Sequence, residues 1–258
     1  MKLLINYANA QYTQSQKLNS KTGLAVAGFD KVISYRPRDI DKFFFLNNAE
    51  ILSQKEGNGY WLWKPYFIHK SLHFLHDGDF LFYCDSGSYF IGSIQPLIDI
   101  CSKTGQDVVV FDVGFVEKNY TKRDAFIILN SDTADYTDSI QRLGSFILVR
   151  RSKFSIEFIS TFLEYAQDKR LITDMDNVMG YPDYEGFIAH RHDQSILSLL
   201  SKKHGLESFR DPSQYGNRVM SKYSNSSYEQ LINHTRDKNL PFYRIVLHQL
   251  RIWADKII

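Results

Sequence analysis

Residues 80–84, Phe-Leu-Phe-Tyr-Cys, form an unbroken apolar run that stops at Asp85-Ser86-Gly87. With no polar residue at alternate positions, the run has no face to give to water and reads as a strand covered on both sides. Strands of that kind belong to sheets flanked by helices, and the rest of the chain alternates accordingly. Lys2–Tyr7 reads as a first buried strand, residues 13–27 as a returning helix, and residues 30–35 as a second strand ended by Arg36-Pro37. Residues 39–52 are expected to be helical and Gly57-Asn58-Gly59 to turn. Pro65 is expected to open a helix that runs to His76 and stops at Asp77-Gly78. Farther on, residues 94–101 read as helix, and 108–111 and 145–149 as strands. Phe154, Phe158, Phe162 and Tyr165 make one helical stripe, and a helix over 193–204 is closed by Gly205. From about Ser226 the tail reads as two helices separated by Pro241.

A chain of 258 residues, 43% hydrophobic and 23% charged, is sized and composed for one large α/β domain. Its formal net charge of +2, with basic residues spread along the chain, argues against a nucleic-acid partner. Cys84 and Cys101 are the only cysteines and both lie in apolar stretches, which suits a reducing compartment better than a disulfide scaffold. No apolar run approaches the ~18 residues of a membrane span, and the apolar start is too short for a secretory signal. A cytoplasmic location is therefore expected. The last segment, residues 243–258, mixes Ile245, Leu247, Leu250 and Trp253 with Arg244, Arg251 and Lys256. It reads as a helix packed on the domain, or as one lying on a membrane surface.

Several residues carry chemistry. Asp85 follows the buried strand, and ligands of open α/β sheets bind outside the carboxyl ends of strands. A carboxylate there holds a divalent cation, or caps a helix after a turn. Lys64 precedes a helix start, where it meets phosphate or is a surface lysine. Trp61 and Trp63 alternate, so one faces the core and the other stacks on a base or sugar. Asp193, beside Gln194 and after His190 and His192, either opens a helix as its cap or enters an active site. His69, His73 and His76 share one helical face, but no cysteine or clustered carboxylate completes a zinc set.

Gly59-Tyr-Trp-Leu-Trp-Lys-Pro-Tyr66 followed by Asp85-Ser86-Gly87 resembles a group of bacterial capsule and lipopolysaccharide glycosyltransferases with the GT-A fold. Thr121-Lys-Arg-Asp-Ala-Phe126, Ile172-Thr-Asp174 and His190-Arg-His-Asp-Gln-Ser195 are similar to the same group, in the same order. The resemblance implies a single GT-A-like α/β domain with a mostly parallel central sheet flanked by helices and a helical C-terminal tail. Residues 1–120 would be its nucleotide-sugar half, 121–225 its acceptor and catalytic half, and 226–258 its C-terminal helices. It implies transfer of a hexose from a nucleotide diphosphate sugar, UDP-linked, to a glycan or lipid-linked glycan acceptor, with Mn²⁺ or Mg²⁺ on the leaving diphosphate. Asp193, Gln194 and His192 would be catalytic. Tyr7, Trp63, Lys64, Lys122, Arg123, Asp124 and His190 would bind the donor, and Asp85 and His248 the metal. The chain departs from the usual two-aspartate metal motif, because Gly87 stands at the second acidic position. That departure keeps open a catalytically inactive binding module, beside a nucleotide-sugar hydrolase or nucleotidyltransferase.

Overall fold

The computed structural model describes residues 1–217 and 222–238. Nine strands are formed among the described residues: β1 Lys2–Tyr7, β2 Lys31–Tyr35, β3 Phe80–Cys84, β4 Ser88–Phe90, β5 Val108–Val116, β6 Ile140–Arg142, β7 Phe146–Arg150, β8 Ser208–Phe209 and β9 Ile232–His234. Seven of them build one sheet in the order β2-β1-β3-β7-β5-β6, with β8 paired to β5. The β1–β2, β1–β3 and β5–β8 pairs are parallel, whereas β7 runs against β3 and β5, and β6 against β5. Within this sheet all strands but β6 and β7 point one way, while β4 and β9 pair antiparallel in a separate two-stranded sheet.

Both faces of the sheet are covered, for the reason the apolar runs suggest. Leu3, Ile5, Leu81, Tyr83, Ile147 and Val149 point to one core, with the helices Trp63–Leu72, Lys153–Ala166 and His192–Lys203. Leu4, Phe82, Cys84, Leu148 and Phe111 point to the other, which the helix Gln95–Thr104 closes with Leu97, Ile98 and Cys101. Each fully buried large side chain contributes about 1.5–3 kcal/mol, so two filled faces fix the register of the central strands. Of the stripe predicted over 154–165, Phe158 and Phe162 lie on the buried face of Lys153–Ala166 while Phe154 and Tyr165 pack half-buried against the core, and the Ser152 hydroxyl accepts from Ser155 N–H at 3.1 Å as the cap.

Several elements depart from the sequence reading. The helix holding Pro65 starts at Trp63 and ends at Leu72. Pro65 is then the third residue, still within the first turn, where a missing N–H leaves no bond unmade. The helical stretch over 39–52 breaks at Asn48 into Lys42–Asn47 and Ala49–Leu52. The helix expected from Ser226 is absent: residues 226–238 run as loop and strand. Their backbone is already engaged, with Leu231 and Ile232 N–H donating to Pro212 O and β9 pairing antiparallel with β4. Pro241 and everything after it lie outside the described residues. Among the described residues no helix is long and apolar enough to cross a membrane.

Candidate active site

β1 and β3 are parallel neighbours, so Tyr7 and Asp85 emerge side by side at their carboxyl ends. Ser86 Oγ fixes the pair by donating to Tyr7 O at 2.6 Å. The turn between β6 and β7 brings Gly144 and Ser145 against the same edge, and Asp85 N–H donates to Ser145 O at 3.0 Å. A cavity of about 600 Å³ opens there. Its walls include Tyr7, Trp61, Trp63, Lys64, Asp85, Gly144, His190, His192, Asp193 and Gln194, which come from five distant stretches of chain.

Lys64 and Asp193 form the floor. Lys64 Nζ sits 2.5 Å from Asp193 Oδ2 and donates to Gly144 O at 2.9 Å, and both side chains are about 95% removed from water (4% and 6% exposed). Lys64 is therefore no surface lysine. Burial raises the Asp193 carboxyl above its ordinary range, and the Lys64 ammonium pulls the other way. Asp193 makes no capping hydrogen bond: its helix begins at His192, and no side chain caps it. Gln194 Oε1 accepts from Gly144 N–H at 2.9 Å, and Gln194 Nε2 donates to Gln141 Oε1 at 2.7 Å. On the β3 side the Tyr83 hydroxyl donates to Asp85 Oδ1. Burial holds that phenol well above its ordinary range, so it stays a donor.

The aromatic wall is layered. Trp63 stacks on Tyr7 with centroids 3.9 Å apart, and its Nε1–H donates to Gly57 O at 2.9 Å. Trp61 stacks on His192 at 5.2 Å. Both tryptophans line the cavity, Trp63 buried and Trp61 half-buried. The segment carrying them is wound left-handed, with φ of +56°, +50° and +60° at Asn58, Tyr60 and Trp61. Each non-glycine residue held so costs about 1–2 kcal/mol, and such strain gathers where function fixes a conformation.

The two histidines differ. His190 Nε2 donates to Leu171 O at 2.7 Å, and its Nδ1 accepts from Lys122 N–H at 3.3 Å, so both ring nitrogens are used by the neutral form. Burial, with His192 nearby, pushes its pKa down to about 3. His192 Nδ1 donates to Ile172 O at 2.9 Å, leaving Nε2 toward Asp174 Oδ1 at 3.8 Å.

Lys122, Arg123 and Asp124 do not line this cavity. Lys122 Nζ donates to Met175 O at 2.6 Å and borders a second hollow beside Asp174, Asp176 and Asp183. Arg123 pairs with Asp132 at 3.0 Å and lies over the Tyr184 ring. Asp124 accepts from Val178 and Met179 N–H, anchoring the long loop that follows Ile172. His248 falls outside the described residues.

The structure adds residues that the sequence reading passed over. His234, Arg236 and Lys238 also line the cavity. His234 is buried with no hydrogen bond to Nδ1. Burial lowers its pKa to about 4, against the pull of Asp85. The only sequence signal was a histidine followed by two cations at alternate positions, in a stretch that reads as helix. Gly87 also gains a reason. A Cβ there would lie 3.0 Å from Arg236 Cα, and Thr235 and Arg236 N–H both donate to Gly87 O at 3.0 Å. The second acidic position is thus taken up by backbone packing.

A divalent cation is the group such a fold implies. Among the described residues no set of three or more His, Cys, Asp or Glu is placed to hold one. Asp85 and the unpartnered Nδ1 of His234 offer two donors. Mg²⁺ is commonly held by one or two protein ligands plus substrate phosphates, so the residues fit a cation shared with a diphosphate and not a protein-only cage.

No protein-family profile matches the chain, and no curated protein matches its sequence. Its structure is similar to mouse xyloside xylosyltransferase 1, with a TM-score of 0.52 at 10% identity, over 93% of this chain and 100% of that one. It is also similar to the galactosyltransferase LgtC, solved with donor and acceptor sugar analogues, with a TM-score of 0.50 at 15% identity, over 92% of this chain and 87% of that one. At such identities the likeness is one of fold: the chain has the α/β fold of these two glycosyltransferases.

Proposed function

We propose that the protein is a glycosyltransferase that moves a hexose from a UDP-linked sugar to an acceptor glycan, free or lipid-linked, in the building of a bacterial surface polysaccharide. The observation that carries this reading is the cavity itself. At the carboxyl ends of two parallel strands it gathers an aromatic wall, a buried Lys64–Asp193 pair, Asp85 and His234. Tyr7, Trp61 and Trp63 offer faces for base and sugar, and Lys64, Arg236 and Lys238 offer cations for a diphosphate. Asp85 and His234 would hold the divalent cation, which when bound neutralises charge on the leaving diphosphate. His192 and Gln194 would meet the sugar, and Asp193 would orient its hydroxyls or take the acceptor's proton.

In the reaction the anomeric C–O bond to the diphosphate breaks and its electron pair leaves on the phosphate oxygen. An acceptor hydroxyl oxygen bonds the anomeric carbon and gives up its proton. Preorganised cations around the diphosphate lower the barrier because they need no reorganisation as charge develops. The test incubates the protein with a panel of nucleotide sugars, Mn²⁺ and oligosaccharide acceptors. Nucleoside diphosphate and a lengthened glycan are expected. Diphosphate release with no glycan product would show hydrolysis instead, and no release from any donor would leave a binding module.

A further inference from the structure

Behind the cavity a polar chain runs through the core and ends on Gln194. Glu117, fully buried, accepts from Thr121 Oγ1 at 2.6 Å, Gln141 Nε2 at 3.0 Å, Lys202 Nζ at 2.5 Å and the Ser198 hydroxyl. Its oxygens thus serve only as acceptors. Gln141, also fully buried, presents Nε2 to Glu117 Oε1, Tyr120 O, Thr121 Oγ1 and Ser195 Oγ, at 3.0–3.4 Å. Reversing that amide would set its carbonyl oxygen against a carboxylate and a backbone carbonyl, and the Thr121 and Ser195 hydroxyls could answer it only by giving up the Glu117 and Tyr120 oxygens they now donate to. Gln141 Oε1 must therefore face Gln194, which answers with Nε2 at 2.7 Å. At the far end the partner of Gln194 Oε1 is the Gly144 N–H, which can only donate. With an acceptor-only group at one end and a donor-only group at the other, the two amides between them have one satisfied arrangement.

We infer that Gln141, held by Glu117, is a positioning residue that fixes which way the Gln194 amide faces the cavity. Gly144 lines the cavity and Gln141 does not, so the carbonyl end of Gln194 is the cavity-ward end. It offers a lone pair to a sugar hydroxyl and offers no N–H there. Gly144 links this relay to the Lys64–Asp193 pair, since its N–H holds Gln194 and its carbonyl holds Lys64. A relay that sets polarity from inside the core keeps the amide from turning when substrate enters, which a surface contact does not achieve. The effect on turnover rests on the glycosyltransferase reading; the orientation itself does not.

The test has two arms. In nuclear magnetic resonance of the wild-type protein, Gln194 should give a single set of side-chain amide signals, protected from solvent exchange. In Glu117→Gln, whose new amide accepts either orientation, the Gln194 signals should double or lose protection. Kinetically, Glu117→Gln should lower kcat about tenfold or more while KM for the nucleotide sugar stays near wild type. Gln141→Glu gives the sharper signature. Two carboxyls in contact share a proton, and one pKa rises. While the proton is held, the introduced carboxyl still accepts from Gln194; once it leaves, the pair repels. Activity of Gln141→Glu should therefore fall on an alkaline limb that the wild type lacks, whereas a merely structural role would lower activity evenly with pH. Doubled Gln194 signals in the wild type, or a Glu117→Gln kcat equal to wild type, would overturn the inference. A wild-type protein that turns over no nucleotide sugar would defeat the transfer reading, and the amide signals would then decide the orientation alone.

Discussion

Lys64 and Asp193 are each other's reason for being buried. An active-site role alone would have Asp193→Asn lower turnover about 10²-fold or more without touching stability, and the ion pair changes the second half of that expectation. Asparagine keeps the shape but leaves the Lys64 ammonium, 4% exposed, with no counter-charge. Breaking a buried pair from one side costs about 3–5 kcal/mol. Asp193→Asn should therefore lower turnover about 10²-fold or more and lower the melting temperature as well, both read on one preparation. Unchanged melting would show that the pair is not sealed from water. The converse variant, Lys64→Met, tests the same pair by pH. Burial already raises the Asp193 carboxyl, and without Lys64 only the smaller pull of His192 opposes it. A carboxyl raised on folding stabilises the folded state at low pH, and that contribution is lost as pH climbs through the folded pKa. The deficit of Lys64→Met against wild type should thus be small near pH 4 and large near pH 8 in urea titrations; a deficit constant with pH would count against a buried carboxylate.

At the scale of elements, strand β9 and the turn at Gly87 decide the shape of the site. The Thr235–Arg236 backbone closes on Gly87 so tightly that a Cβ would lie 3.0 Å from Arg236 Cα. Gly87→Asp, which restores the two-aspartate pattern, should not create a better metal site. It should push β9 outward, cost about 1–3 kcal/mol and reduce Mn²⁺-supported turnover. A gain in Mn²⁺ affinity with unchanged stability would reverse that view. Elements with strong local signals were legible. The continuous apolar run gave β3, the Phe154–Tyr165 stripe gave a helix, and the predicted turn at 57–59 is where the chain winds left-handed. β9 was not legible, because three residues paired with a distant strand leave no periodicity in their own stretch. Its pairing partner β4 is 142 positions away even at the nearest paired residues, Phe90 and Ile232. The left-handed winding through Tyr60 and Trp61 was equally hidden, since neither residue favours it and the contacts that hold Trp61 there, among them its stack on His192, are with distant residues.

Across the whole molecule, buried neutral histidines couple folding to acid. His190 and His234 titrate near 3 and 4 in the folded state, because burial disfavours their charged forms. Unfolded, each takes a proton near pH 6.5. Their stabilising contribution is thus complete above that pH and is lost as pH falls toward the folded values, by up to about 1.4 kcal/mol per unit for each group. Urea unfolding between pH 7 and pH 5 should show this loss, and His190→Gln, whose amide both donates and accepts, should show less of it. An equal slope in both proteins would exclude His190 as its source. The sequence by itself determined the α/β class, the covered central strands and the presence of Tyr7, Trp63, Lys64, Asp85, Asp193 and Gln194 at element ends, because apolar periodicity and turn residues act within a few positions. Only the tertiary structure decided which of these meet. It set Lys64 on Asp193 and turned Lys122, Arg123 and Asp124 to anchoring a loop. It also brought His234 and Arg236 to the cavity, which the alternate spacing of a histidine and two cations in their own stretch does not place. Those outcomes depend on strand order and on the matching of buried donors and acceptors across the core, which no local window of sequence contains.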